Sequence, residues 1–128
     1  MSFFKNIFGS SDSNDQTNSM TWEPLQALEQ LDEIVAQSQV KPVAIFKHST
    51  RCSVSRMALK QFENEFNFPE KVTPYFLDLI AFRDVSNEIA SRFGVTHQSP
   101  QLILIQDGKA VYNVSHSDID AGELGAKL

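Results

Sequence analysis

Only one cysteine, Cys52, occurs among 128 residues. A lone thiol cannot close an intramolecular disulfide, and one chain cannot assemble a thiolate-rich metal site from it. So little cysteine predicts a reducing, cytoplasmic setting. Positive charge is also scarce: 11 Lys and Arg stand against 16 Asp and Glu, a formal charge of −5. Nucleic-acid binding is therefore not expected, because it needs a basic face to neutralise phosphates. No apolar run approaches the roughly 18 residues of a transmembrane span. The segment Met1–Gly9 holds Phe3, Phe4, Ile7 and Phe8 but has neither the apolar core nor the small-residue cleavage site of a secretory signal. No glycine-rich phosphate loop and no Ser–His–Asp arrangement stands out. The histidines, His48, His97 and His116, lie too far apart for short ligand spacing, so no metal is expected.

What is present suffices for one domain. Ten Phe and an apolar fraction of 41% can fill a core, and a chain of this size buries roughly two-thirds of its unfolded surface without disulfide staples. Residues 9–20, GSSDSNDQTNSM, read as a polar linker. Residues 1–20 are thus expected to be a tail and linker, and 21–128 the folded domain. The tail's apolar residues fit an extra turn packed on the body or a short amphipathic element touching a membrane or partner.

The pattern from Pro24 to Gln37, with Leu25, Leu28, Leu31, Ile34 and Val35, is helical, and Thr21 is a plausible N-cap. Pro42–Phe46 is a compact apolar run, as in a strand buried on both faces. The polar stretch Lys47–Arg51 reads as the loop leaving it. Val54, Ala58, Phe62 and Phe66 recur every four residues and predict an amphipathic helix opening at Cys52 or Ser53. Val72–Ile80 predicts a second buried strand, and Asp84–Phe93 a helix stopped by Gly94. Residues 101–106 and 109–114 flank Asp107-Gly108, a hairpin signature. Asp118–Leu128 predicts a closing helix, weakened by Gly122 and Gly125. A βαβ unit followed by a hairpin gives an α/β, thioredoxin-like fold: a central mixed sheet of about four strands flanked by helices.

The chemistry centres on Cys52. It follows a strand and a polar loop and opens a helix, where unpaired N–H groups and the helix dipole favour a thiolate. A lone cysteine is more often a small buried hydrophobe, but the flanks Ser49, Thr50, Arg51, Ser53 and Ser55 are polar. Arg51 and Arg56 add positive charge nearby, and Lys47 and His48 are further candidates, against solvated roles for each. Ser55 stands three residues on, where a dithiol oxidoreductase has its second cysteine, and a hydrogen bond from its hydroxyl to the thiolate is one option. Without a second thiol, a mixed disulfide on Cys52 must be resolved by an external thiol. Ser99-Pro100 precedes a strand, the place of a cis-proline in thioredoxin-like folds, and the Ser99 backbone is then available to an extended substrate. Trp22 is expected to pack near the first helix.

The stretch Ile45–Ser55, IFKHSTRCSVS, together with Ser99-Pro100-Gln101, Asp107-Gly108-Lys109 and Val114–Asp118, resembles the YtxJ family of monothiol bacilliredoxins over roughly residues 22–120. The resemblance implies a thioredoxin-like fold and thiol–disulfide exchange with bacillithiol as co-substrate and no tightly bound cofactor. It implies Cys52 as nucleophile toward S-bacillithiolated proteins, Ser55 in place of the resolving thiol and Pro100 shaping the docking groove. The family commonly has Pro after the cysteine, where this chain has Ser53, which adds an N–H near the sulfur. Two other readings compete: an iron–sulfur carrier in which two chains each supply Cys52, and a redox-sensing binding protein whose thiol is only modified.

Overall fold

In the computed structural model, residues 20–128 are described. The linker and the apolar tail of the first nineteen residues, including Phe3, Phe4, Ile7 and Phe8, lie outside them. The described chain folds as β1 (Glu23–Pro24), α1 (Glu29–Gln37), β2 (Val43–His48), α2 (Ser53–Glu65), β3 (Thr73–Asp78), α3 (Arg83–Phe93), β4 (Gln101–Gln106), β5 (Lys109–Ser115), a 3-10 turn (His116–Asp118) and α4 (Ala121–Gly125). The sheet has five strands in the order β1-β3-β2-β4-β5. β2 pairs parallel with β3 and antiparallel with β4, so the sheet is mixed.

The fifth strand is the main departure from the sequence reading. Glu23 and Pro24 pair parallel with Tyr75 and Phe76, and the Leu25 N–H extends the ladder to Phe76 O at 2.8 Å. The helix therefore starts at Glu29 rather than Pro24, and Thr21 caps nothing in it. The side chain of Gln30 secures the turn instead. Its Oε1 accepts from the N–H groups of Gln26 (2.6 Å) and Ala27 (3.0 Å), and its Nε2 donates to Pro24 O. The closing helix is also shorter, confined to Ala121–Gly125 and capped by Asp120, whose carboxylate accepts from Glu123 N–H. The Asp118 region forms the 3-10 turn. The other boundaries lie within a few residues of the predicted ones, and Gly94 ends α3 at φ 66°. In the β4–β5 hairpin both turn residues take positive φ, Asp107 at 52° and Gly108 at 76°. Its turn is tied to α1 because Gly108 N–H donates to Ser38 Oγ at 2.8 Å.

Two cores form on the two faces of β2. Val43 and Ile45 join Leu31, Ile34, Val85 and Ile89 under α1 and α3. Ala44 and Phe46 join Ala58, Phe62, Ala121 and Leu124 under α2 and α4. Trp22 belongs to the second core and not to the first helix. It packs on Phe46, Phe62 and Phe76 with ring centroids 5.7–5.9 Å apart, and its Nε1 donates to Glu63 on α2 at 2.7 Å. Phe62 is wholly buried at the centre of this aromatic cluster. Phe62→Ala is expected to cost about 3–5 kcal/mol, measurable as a lowered midpoint in urea.

Candidate functional site

The sequence from β2 to α2 places one sulfur at a helix start. Cys52 is the N-cap of α2 with extended backbone, φ −111° and ψ 123°, and is half-buried. Its N–H donates to Ser49 O at 3.2 Å and its carbonyl accepts the first helical bond, from Arg56 N–H. No acidic residue stands in the first turn of α2, so nothing on the helix competes for the unpaired N–H groups and the positive dipole end. Arg51, next to Cys52 in the chain, and Arg56, on the first turn of α2, are both exposed. The Arg56 Nη1 donates to Thr50 O at 3.2 Å, which braces the loop between β2 and α2.

The peptide bond between Ser99 and Pro100 is cis, as the sequence predicted. Pro100 is buried, and Ser99 is partly exposed at the start of β4.

Lys47 and His48 depart from the solvated loop expected of them. Both belong to β2, whose ladder runs on to Lys47↔Gln101 and His48↔Asp78. A central strand is covered on both sides, so its polar end is buried with the rest: Lys47 is wholly buried and His48 is 6% exposed. Alternation sends them to opposite faces. His48 lies beneath α2, tilted against Phe76 at 5.5 Å, with Nδ1 2.7 Å from Ser55 Oγ. That hydroxyl also accepts from Ser49 N–H at 3.0 Å. The hydrogen bonds of Ser55 thus run inward, to the imidazole and the loop, and the sulfur is not among their partners.

On the other face, Lys47 Nζ lies 2.8 Å from His97 Nδ1. Burial pushes the Lys47 amine down to about 8, while burial, Lys47 and Arg83 together lower His97. His97 had entered the sequence reading only as an isolated histidine. Its pairing is hidden in the sequence because the polarity of Lys47 reads as loop, whereas the residue lies on the strand face it shares with Val43 and Ile45. Among the described residues, no three His, Cys, Asp or Glu side chains gather as metal ligands, and no helix is long and apolar enough to cross a membrane.

Burial lowers the pKa of His48, with Arg56 acting in the same direction and Asp78 and Glu63 opposing. The unfolded chain then binds a proton that the folded chain refuses, so stability is lost as pH falls below 6.5 through the lower folded value. His97 contributes with the same sign. Urea titrations at pH 7 and 5 are expected to show this loss. It should be smaller in His48→Asn, which keeps a partner for Ser55 but carries no charge.

A sheet of this order, with one thiol at the start of α2 and a cis-proline just before β4, defines a thioredoxin-fold thiol protein. A solved structure described as a candidate oxidoreductase with a thioredoxin fold is similar to the chain at 29% identity and a TM-score of 0.75, covering 88% of this chain and 97% of the other. The chain belongs to the monothiol bacilliredoxin BrxC family, whose model matches residues 23–124. The fold is also shared with mitochondrial thioredoxin 3 of Saccharomyces cerevisiae (20% identity, TM-score 0.65, covering 83% of this chain and 93% of that one). Thioredoxin of Malassezia sympodialis is similar at 21% identity and a TM-score of 0.63, over 84% and 87% of the two chains.

Proposed function

We propose that this protein is a monothiol oxidoreductase that removes bacillithiol from mixed disulfides on cytoplasmic proteins. The Cys52 thiolate attacks the bacillithiol sulfur of the mixed disulfide. The S–S bond breaks, the protein thiolate leaves and takes a proton from water, and bacillithiol stays on Cys52 as a new disulfide. A second bacillithiol, as thiolate, attacks the bacillithiol sulfur of that adduct, which releases the Cys52 thiolate and bacillithiol disulfide. The Ser99 backbone edge beside Pro100 docks the extended substrate. Arg51 and Arg56, exposed on either side of Cys52 in the chain, meet carboxylates of the ligand, and Thr50 supports their loop. Lys47 and His48, buried on opposite faces at the end of β2, hold the frame and do not touch the substrate.

One observation carries the reading: a half-buried, unpaired Cys52 at a helix start free of acidic residues, with a serine where a second thiol would stand. Membership of the bacilliredoxin family supports bacillithiol as the partner thiol. Mass spectrometry after mixing with a bacillithiolated protein is the test. A bacillithiol adduct on Cys52, removed by added bacillithiol, is the expected result. A substrate stripped with no adduct ever forming on Cys52 overturns the assignment.

A further inference from the structure

The loop between α3 and β4 leaves Gly94 and delivers Ser99-Pro100 to the sheet. Side chains from two strands hold it. Gln101 on β4, wholly buried, donates from Nε2 to Thr96 O at 2.9 Å and accepts from Gln98 N–H at 3.4 Å. The other tether comes from β2, where Lys47 Nζ reaches His97 Nδ1 at 2.8 Å, with the buried Ser86 Oγ 3.4 Å from the same nitrogen. Lys47 lies five residues before Cys52, opposite Gln101 in the β2–β4 ladder. Its bond therefore joins the strand that leads to the thiol with the loop that ends at the docking edge.

Lys47 is an expensive way to make that joint. It is wholly buried, and among the described residues it forms no ion pair with a carboxylate. A buried ammonium lacking a counter-charge is destabilising, and an apolar side chain of similar length is better tolerated in such a place. Packing alone gives no reason for a cation there, whereas holding the loop does.

We propose that Lys47 is a positioning residue for substrate docking: through His97 it fixes the loop 95–99 against the Cys52 segment. This rests on the reading of Cys52 as nucleophile and Ser99 as docking edge. Lys47 acts only through His97 and meets neither the sulfur nor the substrate.

The full-length Lys47→Met variant separates this role from a merely structural one. Its urea midpoint is expected to equal or exceed that of the wild type, because the buried charge is gone. Its KM for a bacillithiolated protein is expected to rise about tenfold, the size of one charge-assisted hydrogen bond, with kcat and the rate of Cys52 alkylation by iodoacetamide within about twofold. His97→Leu is expected to raise KM as much, and His97→Asn, whose carboxamide offers an acceptor near the Nδ1 position, to restore it. The double variant Lys47→Met with His97→Leu should be no worse than either single change, since both remove the same bond. An unchanged KM in Lys47→Met and His97→Leu overturns the proposal, as does a KM that rises only together with a loss of stability. Absence of turnover in the wild type removes the reading of function itself, a result distinct from normal turnover with an unchanged KM.

Discussion

Cys52→Ala is expected to reduce the release of bacillithiol from a protein mixed disulfide to the rate seen without enzyme. The loss should be complete because no other group can take over: the chain holds one thiol, and a hydroxyl such as that of Ser55 is not a nucleophile toward disulfide sulfur at neutral pH. The change should leave the fold intact. Cys52 is half-buried at the N-cap, and its side chain makes no capping hydrogen bond. Truncating it therefore removes no bonded partner and should alter stability by about 1 kcal/mol or less. Urea unfolding beside a turnover assay separates these effects. Turnover in Cys52→Ala above the uncatalysed rate would show that the chemistry lies elsewhere.

The second large effect concerns the partner thiol. Ser55→Cys places a sulfhydryl three residues on, one turn away from Cys52, a separation that a disulfide can bridge. The new thiol attacks the Cys52 sulfur of the adduct, bacillithiol departs as a free thiol, and an intramolecular disulfide remains. The requirement for a second bacillithiol in clearing the adduct should disappear and be replaced by a need for a dithiol reductant to open the new disulfide. The variant also takes the hydroxyl from between His48 and Ser49. It is expected to be less stable by about 1–3 kcal/mol, since the buried His48 and the part-buried Ser49 N–H lose their partner. Mass spectrometry of the adduct over time, without added thiol, gives the result: persistent in the wild type, short-lived in Ser55→Cys. An adduct equally persistent in both would mean that position 55 cannot reach the sulfur.

Much of this was legible from local chemistry. The run Val43–Phe46 is short, continuous and apolar, with β-branched Val43 and Ile45, as a strand buried on both faces is, and the Asp107-Gly108 turn and Gly94 after α3 each meet a backbone requirement for positive φ. The start of α2 just after Cys52 was legible because the four-residue apolar period of Val54, Ala58 and Phe62 begins there, although Val54 itself is exposed and Ser55 takes the covered side. β1 was not, because a strand of two residues has no period, and Leu25 happens to continue the spacing of the helix that follows. Trp22 was misplaced for the same reason: its neighbours, Phe46, Phe62 and Phe76, come from three other elements. Lys47 and His48 were hidden by their polarity. Burial at the end of β2 is set by neighbours on both flanks, β3 and β4, and those neighbours are far away in the chain. The inward turn of Ser55 follows from the same burial, since a hydroxyl on the covered side of α2 meets His48 before it meets the sulfur.

Trp22 is the sole tryptophan of the chain. It is wedged under the helix that begins at Cys52, its indole nitrogen bonded to Glu63. Its fluorescence consequently reports on the packing of the last turn of α2, at Phe62 and Glu63, with no competing indole to dilute the signal. Because the ring is clamped between the sheet and the far end of α2, its emission is a built-in optical gauge of whether that helix stays docked as a whole.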